Sequence, residues 1–166
     1  MSALISETCI YWAIEKNAKK VYAFEPLKST YEILLKNTEI NDLQDVVIPY
    51  NFGLSDEDIN AKVTVFNASN IGGTHFTKDK NGHFQLKQLD SIDIPEKIDL
   101  IKIDVEGHEV ETLMGAIQTI RKNKPVITIE TFNHQKEVNT IFYELGYELV
   151  KTIRENADYI YKYTGE

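Results

Sequence analysis

The sequence DLIKIDVEGHE, at residues 99–109, decides the fold. Its first half is an apolar run between two acids, which predicts a short buried strand at 99–104. A helical pattern follows at 106–122, and a second apolar run at 125–130 predicts another buried strand. Strand, helix and strand in this order indicate a βαβ unit, in which the two strands lie parallel.

The same alternation extends outward to both ends of the chain. Two polar–apolar alternating segments in the middle predict an inserted antiparallel hairpin around a polar loop at 67–82, and the last two strands predict a second, closing hairpin. The fold class is therefore α/β, a doubly wound and mostly parallel sheet with an antiparallel last strand. We predict further helices at 7–17, 28–40 and 135–145, and further strands at 20–24, 46–52, 62–66, 84–89, 147–153 and 158–163.

The composition is that of a globular protein with one domain over residues 1–166. No apolar run is long enough for a membrane span, and the N-terminus shows no signal-peptide pattern, so we expect a cytoplasmic protein. The formal net charge of −8 disfavours a nucleic-acid partner and favours a small polar substrate. The single Cys9 and the spacing of the histidines predict neither a disulfide nor a metal site.

Polar side chains follow several predicted strands, where parallel sheets bind their ligands. Glu25 closes the strand at 20–24, and a carboxylate there can accept hydrogen bonds from both hydroxyls of a ribose. The alternative is that Glu25, next to Pro26, only offsets the dipole of the following helix. The ribose role is the favoured one. Asn51 and Phe52 end the next predicted strand.

Asp104 and Glu106 end the strand at 99–104 and are the leading candidates for a general base or a cofactor ligand. First-turn acids also stabilise a helix N-terminus, which is the reading we favour for Glu109. For Asp104 we favour a functional role. His108 is placed to assist, or to point outward from the helix.

His75 lies in the predicted polar loop, where it is equally suited to act as a substrate-facing acid or base and to be a solvated loop residue. His83 and His134 are interpreted as surface or capping residues. The candidate catalytic residues are thus Asp104, Glu106 and His75.

Taken in order, these clusters resemble the FkbM family of S-adenosylmethionine-dependent methyltransferases over roughly residues 6–150. The runs VYAFEP and KIDVEGHE are the specific ones. The matching stretches are 21–26, 51–56, 88–92, 99–109, 113–116 and 124–130.

The resemblance implies transfer of a methyl group from S-adenosyl-L-methionine to an oxygen of a sugar or another small polar acceptor. It places Glu25 and Pro26 at the cofactor ribose and Asn51 and Phe52 near the adenine. It places Asp104 at the floor of the crevice in which the reaction takes place. An antiparallel last strand is also typical of methyltransferases. A nicotinamide-dependent dehydrogenase is disfavoured, because no G-x-G-x-x-G occurs in the chain.

The chain departs from the family at its start, where a first strand and a glycine loop are expected. Residues 2–8 read SALISET in that register, and no strand precedes them. Either the strands ending at Glu25 and Asp104 pair directly, or a second copy completes the sheet in a homodimer, or the sequence is a fragment. The alternative function is a non-catalytic, truncated module that mediates interactions.

Overall fold

The computed structural model describes residues 5–65, 75–153 and 158–165, which form a mixed α/β fold as predicted. A short 3-10 helix spans Leu89–Ser91. The helices are α1 (Ile5–Ile14), α2 (Lys28–Ile40), α3 (Glu109–Met114), α4 (Ile117–Asn123) and α5 (Gln135–Glu144). The strands are β1 (Val21–Phe24), β2 (Val47–Tyr50), β3 (Gly53–Leu54), β4 (Ile59–Val65), β5 (His75–Lys78), β6 (Phe84–Lys87), β7 (Leu100–Ile103), β8 (Val126–Glu130), β9 (Tyr147–Thr152) and β10 (Asp158–Tyr163).

The chain divides into two compact units. The first unit comprises Met1–Gly53 and Ile59–Leu86, and the second unit comprises Leu54–Asp58 and Lys87–Glu166. That the whole chain acts as one domain stays a prediction.

A parallel strand pair organises the first unit. β1 pairs with β2 in the register Val21↔Val47 to Phe24↔Tyr50, and α1 and α2 supply the remaining apolar surface. Burial of this surface is the main source of stability for such a layer. The buried core consists of Cys9, Ala13, Ala23, Leu34 and Val47.

The inserted antiparallel segment is larger than the sequence predicted. β4 pairs antiparallel with both β6 and β5, in a four-stranded sheet of order β3-β6-β4-β5. Because β5 occupies residues 75–78, the prediction of a loop across all of 67–82 is wrong there, and residues 66–74 lie outside the described part of the chain.

The sheet of the second unit has the order β7-β8-β10-β9. β7 and β8 are parallel, and β10 lies antiparallel to both β8 and β9. α5 covers this sheet with Val138 and Phe142, which are one turn apart and fully buried. The helix stops before Gly146, whose φ of 76° is a conformation that glycine adopts without strain.

The predicted helix over 106–122 begins later than expected. Glu106 and Gly107 both have positive φ, 48° and 89°, so the backbone cannot continue as a right-handed helix. α3 starts at Glu109, and His108 is its N-terminal boundary residue rather than part of the first turn.

The same predicted helix is also broken at Gly115, between α3 and α4. A Cβ at this position would lie 1.8 Å from the carbonyl oxygen of Ser55, so only glycine fits. Beyond the break, the Asp90 carboxylate accepts hydrogen bonds from the amides of Gln118 and Thr119 at 2.9 and 2.7 Å. These bonds satisfy free amides in the first turn of α4 and start a new helix.

The two strands that end next to Glu25 and Asp104 each have one partner among the described residues. β1 pairs with β2, and β7 pairs with β8. Direct pairing of these two strands, one of the three predicted alternatives, is therefore not observed. Within the three described stretches, every helix falls short of the length and hydrophobicity that a bilayer span requires.

Candidate functional site

Glu25 forms a buried carboxylate at the carboxyl end of β1, with 1% of its surface exposed. Its backbone amide extends the β1–β2 pairing by donating to the carbonyl of Tyr50 at 3.0 Å. Oε1 accepts a hydrogen bond of 2.7 Å from the amide of Leu27, just before α2. Oε2 is buried and has no hydrogen-bond partner among the described residues. Oε1 therefore stabilises the helix N-terminus, and Oε2 is a buried acceptor whose hydrogen-bonding capacity is unused within the described residues.

Burial raises the pKa of the Glu25 carboxyl from 4.5 to about 7, and the hydrogen bond from the Leu27 amide acts in the opposite direction. A buried polar atom without a partner is destabilising in a folded protein. A ligand that donates to Oε2 would remove this cost and would favour the ionised carboxylate.

Asn51 ties the end of β2 to the turn after β1. Its amide nitrogen donates to the carbonyl oxygen of Glu25 at 2.9 Å and lies 3.4 Å from that of Pro26. The structure thus brings together Glu25, Pro26, Asn51 and Phe52, the four residues of the first unit that the sequence assigned to the cofactor.

An aromatic cluster adjoins these strand ends. The rings of Phe24 and Tyr50 stack with centroids 5.4 Å apart, and Phe52 lies 5.7 and 5.3 Å from them. All three side chains are only partly buried. Such rings offer a planar apolar surface at the ends of β1 and β2, which is suited to a heteroaromatic ring.

In the second unit, Asp104 directly follows β7 and is 7% exposed. Its Oδ2 lies 2.6 Å from the ammonium nitrogen of Lys102, two residues earlier on the same face of the strand. Glu106 follows in the same loop, half-buried and with its backbone in the left-handed region. A non-glycine residue held there is often found at a functional site.

Glu109 makes contacts through both of its carboxylate oxygens, although sequence reasoning favoured a plain helix-terminal role. It is 3% exposed. Its Oε1 accepts from the amide of Gly107 at 2.7 Å, and its Oε2 lies 2.8 Å from Nδ1 of His134. The hydrogen bond to Glu109 raises the pKa of His134.

His108 has both ring nitrogens near polar groups. Nε2 lies 3.0 Å from the hydroxyl of Ser55, and Nδ1 lies 3.7 Å from a carboxylate oxygen of Glu111. The order serine, histidine, acid is that of a hydrolase triad. Ser55 is 0% exposed, however, and its hydroxyl also donates to Asp56 at 3.0 Å, so this serine is inaccessible to a substrate.

His75 is the first residue of β5, so it does not belong to the loop in which the sequence placed it. Its side chain lies outside the described part of the chain, and its catalytic role stays a prediction.

Sequence reasoning missed the contact between Glu109 and His134. The available signal was the strand-end rule itself, because His134 comes four residues after Glu130, the last residue of β8. β7 and β8 are parallel neighbours, so the loops that follow them leave from the same edge of the sheet.

The chain matches the family model described as the methyltransferase FkbM domain over residues 3–161. It is 30% identical over 145 residues to the hexuronic acid methyltransferase AglP of Haloferax volcanii, which covers 81% of this chain. It is 24% identical over 176 residues to the methyltransferase sdnD of Sordaria araneosa, covering 83% of this chain. The chain spans 58% of the length of AglP and 68% of that of sdnD.

Among solved structures, the chain resembles an FkbM methyltransferase from Methylobacillus flagellatus KT. The TM-score is 0.64 at 18% sequence identity, over 98% of this chain and 42% of the other. At this identity the likeness concerns the fold alone.

Proposed function

Because the chain belongs to the FkbM methyltransferase family, we propose that it transfers a methyl group from S-adenosyl-L-methionine to a hydroxyl of a sugar or another small polar acceptor. The doubly wound sheet predicted from the sequence, and its completion by a second copy, belong to the same proposal.

The observation that carries this proposal is the asymmetry of the Glu25 carboxylate. Oε1 is held by the Leu27 amide, whereas the buried Oε2 has no partner among the described residues. A ribose offers two neighbouring hydroxyl donors, and a carboxylate can accept from both. The cofactor ribose therefore satisfies an atom that the protein leaves unpaired.

The surroundings of Glu25 fit the rest of a nucleoside. Asn51 holds the turn that carries Glu25, and its side chain fixes the ends of the two strands relative to each other. The partly exposed rings of Phe24, Tyr50 and Phe52 provide the surface against which an adenine would stack. When bound, S-adenosyl-L-methionine supplies an activated methyl group, so the protein has to position the acceptor and remove a proton.

A carbohydrate acceptor is supported by the similarity to AglP, a hexuronic acid methyltransferase. We place the acceptor at the loops after β7 and β8, where Asp104 forms the floor and Glu106 lies in the same loop. Because Asp104 is already paired with Lys102, its proposed role is to orient a ligand rather than to accept a proton.

Methyl transfer is tested by incubating the protein with methyl-labelled S-adenosyl-L-methionine and D-glucuronic acid, followed by product analysis. We expect a labelled sugar with wild-type protein and a strongly reduced yield with Glu25→Gln. The exposed Glu32→Gln, on α2, is the matched control and should behave like wild type. A folded wild-type protein that binds no S-adenosyl-L-methionine would contradict the proposal and support the non-catalytic alternative.

A further inference from the structure

The contact between Glu109 and His134 joins the loops that follow two neighbouring strands. Glu109 begins α3 after β7, and His134 is the N-terminal boundary residue of α5 after β8. The amide of His134 donates to the hydroxyl of Thr131 at 3.3 Å, which fixes the backbone beneath the ring. Both residues therefore stand at the carboxyl edge of the sheet, where parallel sheets bind their ligands.

The carboxylate determines which ring nitrogen of His134 carries the proton. At 2.8 Å from a group that can only accept, Nδ1 must be the donor. In the neutral ring, Nε2 is then the unprotonated nitrogen, with a lone pair for a ligand. The His134 side chain is 34% exposed, whereas that of Glu109 is 4% exposed. The contact between Glu109 and His134 thus pairs a buried carboxylate with an imidazole that a substrate can reach.

We propose that Glu109 and His134 form a carboxylate–histidine dyad in which His134 Nε2 removes the proton from the acceptor hydroxyl. This rests on the proposed function. As the acceptor oxygen forms its bond to the methyl carbon, its proton passes to Nε2. The bond between that carbon and sulfur breaks, and its electron pair stays on sulfur. The imidazolium, stabilised by Glu109, then releases the proton to solvent.

The other polar groups of this loop are less suited to the same task. Asp104 is neutralised by Lys102 at 2.6 Å. Both nitrogens of His108 face Ser55 or Glu111. His134 is the histidine of the second unit for which one nitrogen is oriented by a buried acid and the ring is partly exposed.

The charges around His134 determine the direction in which activity should change with pH. Glu109 has the largest effect in raising the pKa of His134, burial opposes it, and Glu111 and Glu137 add smaller contributions in the same direction as Glu109. Only the neutral ring accepts a proton, so activity should rise with pH through this raised pKa. Loss of the Glu109 charge should move that inflection to lower pH.

The test compares His134→Gln and Glu109→Gln with the wild-type protein in methyl transfer to D-glucuronic acid and D-glucose. We expect His134→Gln to lower kcat by about 100-fold with little change in KM or in the affinity for S-adenosyl-L-methionine. Glu109→Gln should lower kcat and move the inflection of the pH profile to lower pH. Glu137→Gln, which removes a smaller contribution to the His134 pKa, should shift the pH profile less than Glu109→Gln, and His83→Gln, an exposed histidine, should behave like wild type.

A second readout does not depend on activity. The ring signals of His134 are followed by NMR during a pH titration of the free protein, in wild type and in Glu109→Gln. We expect the wild-type inflection to match that of the rate and to fall in the variant. If Glu109→Gln does not fold, His134→Gln decides, because its ring is partly exposed and its loss leaves the core intact.

The possible results separate the dyad from the proposed function. If wild-type protein methylates either sugar and His134→Gln retains its kcat, or if only KM rises, the base role is wrong while the proposed function stands. If wild-type protein binds S-adenosyl-L-methionine but methylates neither sugar, the proposed function fails and the base role fails with it.

Discussion

The amide of Leu27 donates to Glu25 Oε1 at 2.7 Å and leaves Oε2 of the same buried carboxylate without a hydrogen-bond partner among the described residues. The two roles that the sequence offered for Glu25 are therefore compatible. One oxygen stabilises the start of α2, and the other is the acceptor that we propose for the cofactor ribose. A single acid can in this way support the fold and carry the proposed binding group.

The stability of the ligand-free protein should depend on pH through Glu25. Burial raises its folded-state pKa to about 7 from 4.5, so the fold favours the protonated form. This contribution is present below the unfolded pKa and is lost as the pH rises through about 7, an effect on the order of 3 kcal/mol. Urea unfolding at about pH 5 and about pH 8 measures it. Glu25→Gln, which does not titrate, should lose this part of the pH dependence; an unchanged dependence would show that Glu25 is not the group responsible.

Asn51→Ala should weaken cofactor binding more than it weakens the fold. The variant removes the hydrogen bond of 2.9 Å to the carbonyl of Glu25, and Asn51 is exposed, so the stability loss should be about 1 kcal/mol or less. The turn that carries Glu25 would keep its backbone hydrogen bond to Tyr50 but lose the side-chain bond that holds it to the end of β2. Titration with S-adenosyl-L-methionine measures the effect. The exposed Gln44→Ala in the same unit is the control, and equal affinities of the two variants would argue against a role for Asn51.

Gly115→Ala should destabilise the second unit by about 1–3 kcal/mol or more, because its Cβ would lie 1.8 Å from the Ser55 carbonyl oxygen. The neighbouring Met114→Ala is the control, since that side chain is half exposed. Chemical unfolding compares the two. If Gly115→Ala were as stable as wild type, the close approach of these two backbone segments would be wrong.

Asp90→Ala should lower the free energy of unfolding by about 0.5–2 kcal/mol, the usual effect of losing a helix cap. Both carboxylate oxygens bind amides at the start of α4, so removing them leaves two donors unsatisfied. Asp93→Ala, an exposed acid nearby, should have little effect. If Asp90→Ala and Asp93→Ala lowered the Tm by similar amounts in thermal unfolding, the capping role would be refuted.

Local sequence patterns predicted the ends of several strands and helices in the second unit. The strands at 99–104 and 125–130 and the helix at 135–145 lie within a residue or two of β7, β8 and α5, because apolar runs and Gly146 mark their ends. Glu25 and its neighbours were singled out because strand ends mark binding sites in parallel sheets, and their binding role stays a prediction.

What the sequence did not predict depends on contacts between distant residues. The helix over 106–122 has a continuous periodicity, yet Ser55 and Asp90 break it from elsewhere in the chain. His134 was interpreted as a surface or capping residue because its partner, Glu109, is 25 positions away. Long-range partners of this kind leave no trace in local composition or spacing.

Calorimetric titration of the protein with S-adenosyl-L-methionine tests the central claim most directly, with Glu25→Gln and the control Glu32→Gln measured alongside. We predict measurable binding by wild type and by Glu32→Gln, and an affinity at least about 10-fold lower for Glu25→Gln, because hydrogen bonds to a charged group are lost. Binding should also strengthen as the pH rises through about 7, since the ionised carboxylate is the better acceptor. No heat with wild-type protein at about millimolar ligand, or equal affinities of wild type and Glu25→Gln, would contradict the account.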